Sequence, residues 1–159
     1  MDLVLIPACL DNEKLIEEFL KDCDLDELQG LCGRHKYDTT HDWLLDKPWS
    51  DTGLQMFSYS IRNDRIVGCV HIRPYMTANL VNHNGFNYGH SVHPEFRGMG
   101  YGSGQMRLAL QYFNNMGISS ILVAANCTNL PSCQCIEACG GVRLYTRNEV
   151  YVYMVHTGK

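Results

Sequence analysis

Ser91-Val92-His93-Pro94-Glu95-Phe96-Arg97-Gly98-Met99-Gly100-Tyr101-Gly102-Ser103 is the stretch on which the reading of this chain turns. It begins at the end of an alternating run, Phe86 to Val92, which predicts a strand with Phe86, Tyr88, His90 and Val92 on one face. Pro94 cannot continue the ladder of that strand. From Tyr101 to Met116 the apolar residues Met106, Leu108, Leu110 and Phe113 predict a helix, and Gly117 stops it. Between strand and helix, Gly98, Gly100 and Gly102 let backbone N–H groups approach a ligand without side-chain obstruction. The helix start adds unpaired N–H donors and the positive end of its dipole. Such a turn suits a pyrophosphate, with Arg97 as a permanent positive charge beside it. A turn that needs glycine for geometry alone is the plainer alternative.

Two common phosphate loops are excluded. A Walker loop needs Gly-Lys followed by Ser or Thr, which does not occur here. The glycines also miss G-x-G-x-x-G by one residue, and no acidic residue stands at the ribose position such a loop requires.

Upstream, Leu3 to Ile6 predicts an opening strand ended by Pro7. Asp11 to Asp22 predicts a helix with Leu15, Ile16, Phe19 and Leu20 at helical spacing, Asp11 as N-cap and a Lys14–Glu18 pair. Leu25 to Leu31 predicts a second short helix closed by Gly33. Arg34 to Gly53 reads as a polar, irregular stretch whose Trp43 and Trp49 pack on the domain edge or serve a substrate-side loop. Met56 to Arg62 and Ile66 to Ile72 form a predicted hairpin around Asn63-Asp64. Thr77 to Asn84 is ambiguous. Downstream, Ile118 to Ala125 predicts a buried strand, Asn129 to Cys139 a short helix, and Val142 to Tyr145 with Val150 to Val155 a closing pair of strands. No linker or repeat divides the chain, so residues 1–159 are expected to form one domain.

Composition narrows the function classes. Apolar residues are 45% and charged residues 19% of 159, and the net charge is 13 − 17 = −4 with no basic run. Nucleic acid is a poor partner for such a chain. The N-terminus lacks a basic leader, and no apolar stretch approaches the ~20 residues needed to span a bilayer. A cytoplasmic protein with no membrane partner is expected. The eight cysteines then read as reduced thiols. Cys127, Cys133, Cys135 and Cys139 cluster, but they contain no C-x2-C pair, and no metal is expected.

The segment from His93 to Gly102 closely resembles the acyl-CoA loop of the GNAT N-acetyltransferases, written Gln/Arg-x-x-Gly-x-Gly/Ala, with Arg97, Gly100 and Gly102 in its defined positions. Ser91-Val92-His93-Pro94 resembles the end of that family's fourth strand. Asn129-Leu130-Pro131-Ser132 with Ile136-Glu137-Ala138-Cys139-Gly140-Gly141-Val142 resembles its second cofactor segment, as found in a branch of bacterial members. Trp43 and Arg65-Ile66-Val67-Gly68 fit the same branch. The resemblance is weak before about Leu54 and strong from Arg65 to Val142.

The resemblance implies an α/β (α+β) fold in which a mixed, mostly antiparallel central sheet is flanked by helices. It implies acetyl-CoA as co-substrate, held where the fourth and fifth strands splay at a bulge. Backbone groups of Ser91, Val92 and His93 would bind the pantetheine arm, with the Val92 N–H polarising the thioester carbonyl. Arg97, Gly98, Met99, Gly100, Tyr101, Gly102 and Ser103 would hold the pyrophosphate, and Asn129 and Ser132 would meet the arm from the other side. A primary amine of a small molecule or peptide would attack directly. Many family members carry a Glu base on the fourth strand. Here His90 is the candidate base, the alternative being a strand histidine packed in the sheet, and Tyr88 could orient a water. Ile136 stands where many members place a tyrosine acid, and Tyr145 is one conceivable substitute. The acidic residues Asp11, Glu13, Glu17 and Glu18 and the run Asp22 to Glu27 read first as a solvated face, second as a lure for a cationic amine. Homodimers are common in such proteins. A non-catalytic acyl-CoA-binding module is the competing function, and a cysteine-ligated protein on another fold is a third.

Overall fold

The structure is a computed structural model that describes residues 2–82 and 85–158. Among the described residues, seven strands and five α-helices form: β1 (Leu3–Pro7), α1 (Glu13–Lys21), α2 (Thr40–Asp46), β2 (Leu54–Ser60), β3 (Arg65–Ile72), α3 (Ala78–Asn82), β4 (Tyr88–Val92), α4 (Tyr101–Asn115), β5 (Ser120–Asn126), α5 (Leu130–Ala138), β6 (Val142–Arg147) and β7 (Val150–His156). The expected central sheet is divided in two. One sheet runs β1-β2-β3-β4 and the other β5-β7-β6, and every registered pair is antiparallel.

Strand alternation sends the two faces of the first sheet into different cores. Met56, Val70 and Ile72 pack with Met106, Ala109, Leu110 and Phe113 of α4 and with Val123 and Tyr153 of the second sheet. Phe57, Ile66 and Cys69 pack on Ile16 and Phe19 of α1 and on Trp43 and Leu44 of α2. Burial of these apolar faces at roughly 25 cal/mol per Å² is the main drive for the layering.

Several local expectations are corrected. Asp11 is no N-cap: it lies in a 3-10 turn, Leu10–Asn12, and α1 begins at Glu13 without a side-chain cap. Glu18 faces Arg65 Nε at 3.9 Å, and no Lys14–Glu18 ion pair is formed among the described residues. Residues 25–31 are turns rather than a helix. Their leucines reach the core at that spacing, but Gly30 at φ 74° breaks any helix. The polar stretch after Gly33 contains α2, capped by Thr39, whose side chain accepts the Asp42 N–H. Its tryptophans are interior. Trp43 is 0% exposed, its ring centroid 4.7 Å from that of Trp49, and its Nε1 donates to the Cys32 carbonyl at 2.7 Å. Thr77 to Asn84 contains α3, with His83 and Asn84 outside the described residues.

Candidate functional site

β4 starts two residues later than expected, because Phe86 turns at φ 45°. The cause is Asn87. Its backbone N–H leaves β3 and donates to the Leu122 carbonyl of β5 at 3.0 Å. Its side-chain amide takes over the vacated bond, donating to Arg73 O at 2.9 Å, while Oδ1 accepts the Leu122 N–H at 2.9 Å. Asn87 thus ties β3 to β5 at the start of β4. Beyond it β4 and β5 share no ladder, and a gap opens between them.

Alternation decides which backbone groups face the gap. Arg73 N–H donates to Asn87 O at 2.8 Å and His93 N–H to Val67 O at 2.8 Å. The odd-numbered residues of β4 therefore bond β3, and Tyr88, His90 and Val92 turn their N–H and C=O groups away from it. Of the three residues expected to offer backbone groups to the arm, Val92 turns its groups away from β3, whereas those of Ser91 and His93 are engaged within the fold. The Ser91 main chain belongs to the β3 ladder, and its hydroxyl both accepts the Gln29 N–H (2.9 Å) and donates to Gln29 O (2.8 Å). The His93 N–H is bound to Val67, and its carbonyl accepts the Phe96 N–H at 2.9 Å.

The glycine-rich turn is exposed from Arg97 to Gly100, with Gly98 at φ 76° and Gly100 at φ 84°. Gly100 is the N-cap of α4 without any side-chain cap. The first intrahelical bond is Gly104 N–H to Gly100 O at 3.0 Å, so the N–H groups of Tyr101, Gly102 and Ser103 lie ahead of the helical pattern. An anionic diphosphate fits this cradle of donors. Arg97 is anchored through Nε to Val92 O at 3.3 Å. Met99 is 60% exposed and leaves the turn open. The Tyr101 side chain faces inward, its hydroxyl accepting from Asn63 Nδ2 at 3.0 Å, so only its backbone is available to a ligand. Ser103 Oγ donates to Gly100 O at 3.3 Å.

At the closed end of the gap lies a cavity of about 20 Å³, lined by Gln29, Tyr88, Gly89, His90, Val123, Ala124, Ser132 and Ile136. Tyr88 Oη and His90 Nδ1 are hydrogen-bonded there at 2.9 Å, with the rings edge to face at 5.2 Å. Burial alone lowers the His90 pKa to about 4, and burial with the neighbouring Cys139, Cys69 and Cys135 drives Tyr88 well above its ordinary value. Both are therefore neutral near pH 7. Ser132 lines the same cavity, whereas Asn129 is the N-cap of α5, its Oδ1 accepting the Ser132 N–H at 3.4 Å. Tyr145, the other residue considered for the acid, is 43% exposed on β6, which is separated from β5 by β7. Gln29 was hidden from sequence reasoning by the helix expected over Leu25 to Leu31, and Asn87 by its unremarkable place within a strand pattern.

The cysteines of α5 and its C-cap do not converge. Cys133 Sγ donates to Asn126 O at 3.6 Å and Cys139 Sγ to Ser103 O at 3.5 Å, and all eight thiols are free. Asp22, His93 and Glu95 do place ligand atoms within 4.8 Å of one another. However, His93 Nδ1 accepts the Glu95 N–H at 3.1 Å, which leaves the ring proton on Nε2 facing Asp22 Oδ2 at 3.5 Å. A protonated ring nitrogen has no lone pair for a metal, so the trio reads as an imidazole held at Nδ1 by the Glu95 backbone, with a buried Nε2 that makes no hydrogen bond among the described residues, beside two carboxylates.

The acetyltransferase (GNAT) family model matches residues 17–141. No curated protein matches the chain. Among solved structures, a ribosomal-protein-S5-alanine acetyltransferase from Vibrio fischeri superposes with TM-score 0.72 at 15% identity, covering 99% of this chain and 94% of that one. A GNAT-family acetyltransferase from Bacillus anthracis gives 0.70 at 16%, covering 99% and 96%. A spermidine N-acetyltransferase chimera from Vibrio cholerae and hSSAT gives 0.62 at 13%, covering 99% and 96%. At these identities the likeness establishes the fold. No helix among the described residues is long and apolar enough to cross a membrane.

Proposed function

The chain belongs to the GNAT acetyltransferase family, and from that premise we propose that it transfers the acetyl group of acetyl-CoA to a primary amine of a small molecule or peptide by direct attack. The observation that carries this reading is the continuity of three features: the exposed donor cradle at Gly98 to Ser103, the Val92 N–H facing the gap, and the cavity that holds Tyr88 and His90. A long, thin, diphosphate-bearing thioester matches that sequence of features.

In this reading Arg97 and the N–H groups from Gly98 to Ser103 neutralise the diphosphate. Val92 N–H polarises the thioester carbonyl. Ser132 meets the arm from α5. His90, neutral near pH 7, accepts the proton of the attacking amine at Nε2, an atom with no hydrogen-bond partner among the described residues. The water-sized cavity must widen as the acyl group enters. A non-catalytic acyl-CoA-binding module would need the first two features but not a paired imidazole and phenol in the cavity.

Calorimetric titration with acetyl-CoA tests the reading, with Gly100→Trp for comparison. Saturable binding by the wild type that the variant loses is the expected result. Absence of wild-type binding from micromolar to millimolar acetyl-CoA would remove the cofactor assignment.

A further inference from the structure

Among the described residues lining the cavity, Tyr88 and His90 are the titratable side chains, and they are bonded to each other. The bond joins Tyr88 Oη to Nδ1, which leaves His90 Nε2 as the second end of the pair. Two proton arrangements satisfy it. In one, the phenol donates to Nδ1 and Nε2 carries the ring proton. In the other, Nδ1–H donates to Oη, Nε2 offers a lone pair, and the phenolic proton is directed elsewhere in the cavity. Interconverting them moves one proton in at Nε2 and one out at Oη, without placing a net charge on either ring.

We propose that Tyr88 and His90 form a closed proton relay that carries the proton of the acceptor amine to the departing sulfur. The inference rests on the amine-acetylation reading above. The step balances as follows. The amine nitrogen bonds the carbonyl carbon and gives a proton to His90 Nε2. Nδ1–H passes to Tyr88 Oη, and the Tyr88 proton goes to sulfur as the carbon–sulfur bond breaks with its electron pair. The products are an amide and a free thiol, and the pair is left in its other arrangement, to be reset by exchange after product release.

The environment favours a relay over separate ionisations. An imidazolium or a phenolate would be desolvated in this cavity. The titratable neighbours of Tyr88 are thiols, Cys135 of α5, Cys139 at its C-cap and Cys69 of β3, and burial raises the pKa of each. Burial is what lowers the pKa of His90, and no carboxylate among the described residues forms an ion pair with its ring.

Wild type, Tyr88→Phe, His90→Asn and the double variant are compared by thiol release from acetyl-CoA with a panel of primary amines, and by acetyl-CoA calorimetry. Asn keeps a hydrogen-bonding atom near the Nδ1 position and deletes Nε2. The exposed Tyr145→Phe serves as control, and thermal melts confirm folding. Each single variant is expected to lose roughly 100-fold in kcat with acetyl-CoA affinity retained, and the double variant to lose no more than either single. Independent, multiplying losses, or a Tyr88→Phe enzyme with near wild-type kcat, would overturn the relay while leaving the acetylation reading intact. A wild type that neither binds nor turns over acetyl-CoA would instead overturn that reading and the relay with it. A second readout needs no substrate. The His90 imidazole ¹⁵N resonances should report a neutral ring from pH 5 to 9 and should move on Tyr88→Phe, whereas protonation near pH 6.5 would exclude the relay.

Discussion

Asn87 substitutes a side chain for a strand of backbone. One residue donates to Arg73 O, donates to Leu122 O and accepts from Leu122 N–H, and it is 7% exposed. Removing the carboxamide strands a buried carbonyl and a half-buried N–H, and such orphans cost about 1–3 kcal/mol each when fully buried. Asn87→Ala should therefore lower stability by roughly 2–4 kcal/mol, a fall of about 5–15 °C in Tm for a chain of this size. Acetyl-CoA affinity should fall as well, because the closed end of the gap is no longer pinned. Unchanged melting in a calorimetric scan would mean that water replaces the carboxamide. Nothing in the sequence singles out this residue. Its role depends on two partners, Arg73 and Leu122, that lie 14 and 35 positions away. Arg97, Gly98 and Gly100 are legible for the opposite reason: their chemistry is local, set by φ angles and donors within one turn.

At the scale of elements, strands with strict alternation and long helices with a clear apolar stripe were readable, and α4 ends within one residue of its expected limit. The segment from Leu25 to Leu31 was misread because its leucines satisfy a helical pattern while tertiary bonds hold it as turns. Gln29 is latched to Ser91, Gln55 Nε2 donates to Gly30 O at 2.6 Å, and Cys32 N–H donates to Gln55 Oε1 at 2.9 Å. Gly30 lies so close to β4 that a Cβ there would sit 2.6 Å from both Gly89 O and His90 Cα. Gly30→Ala must therefore push the segment off the sheet, in addition to the roughly 1–2 kcal/mol of a left-handed alanine. Gly98→Ala is the control, since its φ is 76° but a Cβ would meet nothing within 4 Å. The expected outcome by hydrogen exchange is lost protection at Cys32 in Gly30→Ala alone, together with a larger drop in denaturation midpoint than Gly98→Ala shows. Equal effects of the two alanines would mean that backbone strain, not the close approach, is what Gly30 relieves.

The whole molecule couples folding to pH through imidazoles that its layers desolvate. His71 is 5% exposed between Thr52 and Arg73, with Nδ1 2.8 Å from Arg73 Nη1 and Nε2 3.4 Å from Thr52 Oγ1. Burial, reinforced by the Arg73 charge, lowers its pKa to about 3, and burial lowers that of His90 to about 4. Both lie below the ~6.5 of an unfolded histidine. Below pH 6.5 the unfolded chain thus binds protons that the folded chain refuses, so stability is full above that pH and declines as pH falls toward 4 and then 3. At pH 5 each group costs roughly 2 kcal/mol relative to pH 7, a large share of the ~5–15 kcal/mol typical of a domain. Urea denaturation should show a drop of roughly 3–4 kcal/mol between pH 7 and pH 5 in the wild type. His71→Asn keeps an acceptor for Arg73 and should remove about half of that slope, whatever it does to the absolute stability. A flat wild-type profile over this range would mean that water reaches both rings. In that case the cavity around His90 would be open enough to hold an imidazolium, and proton transfer there would not need the phenol.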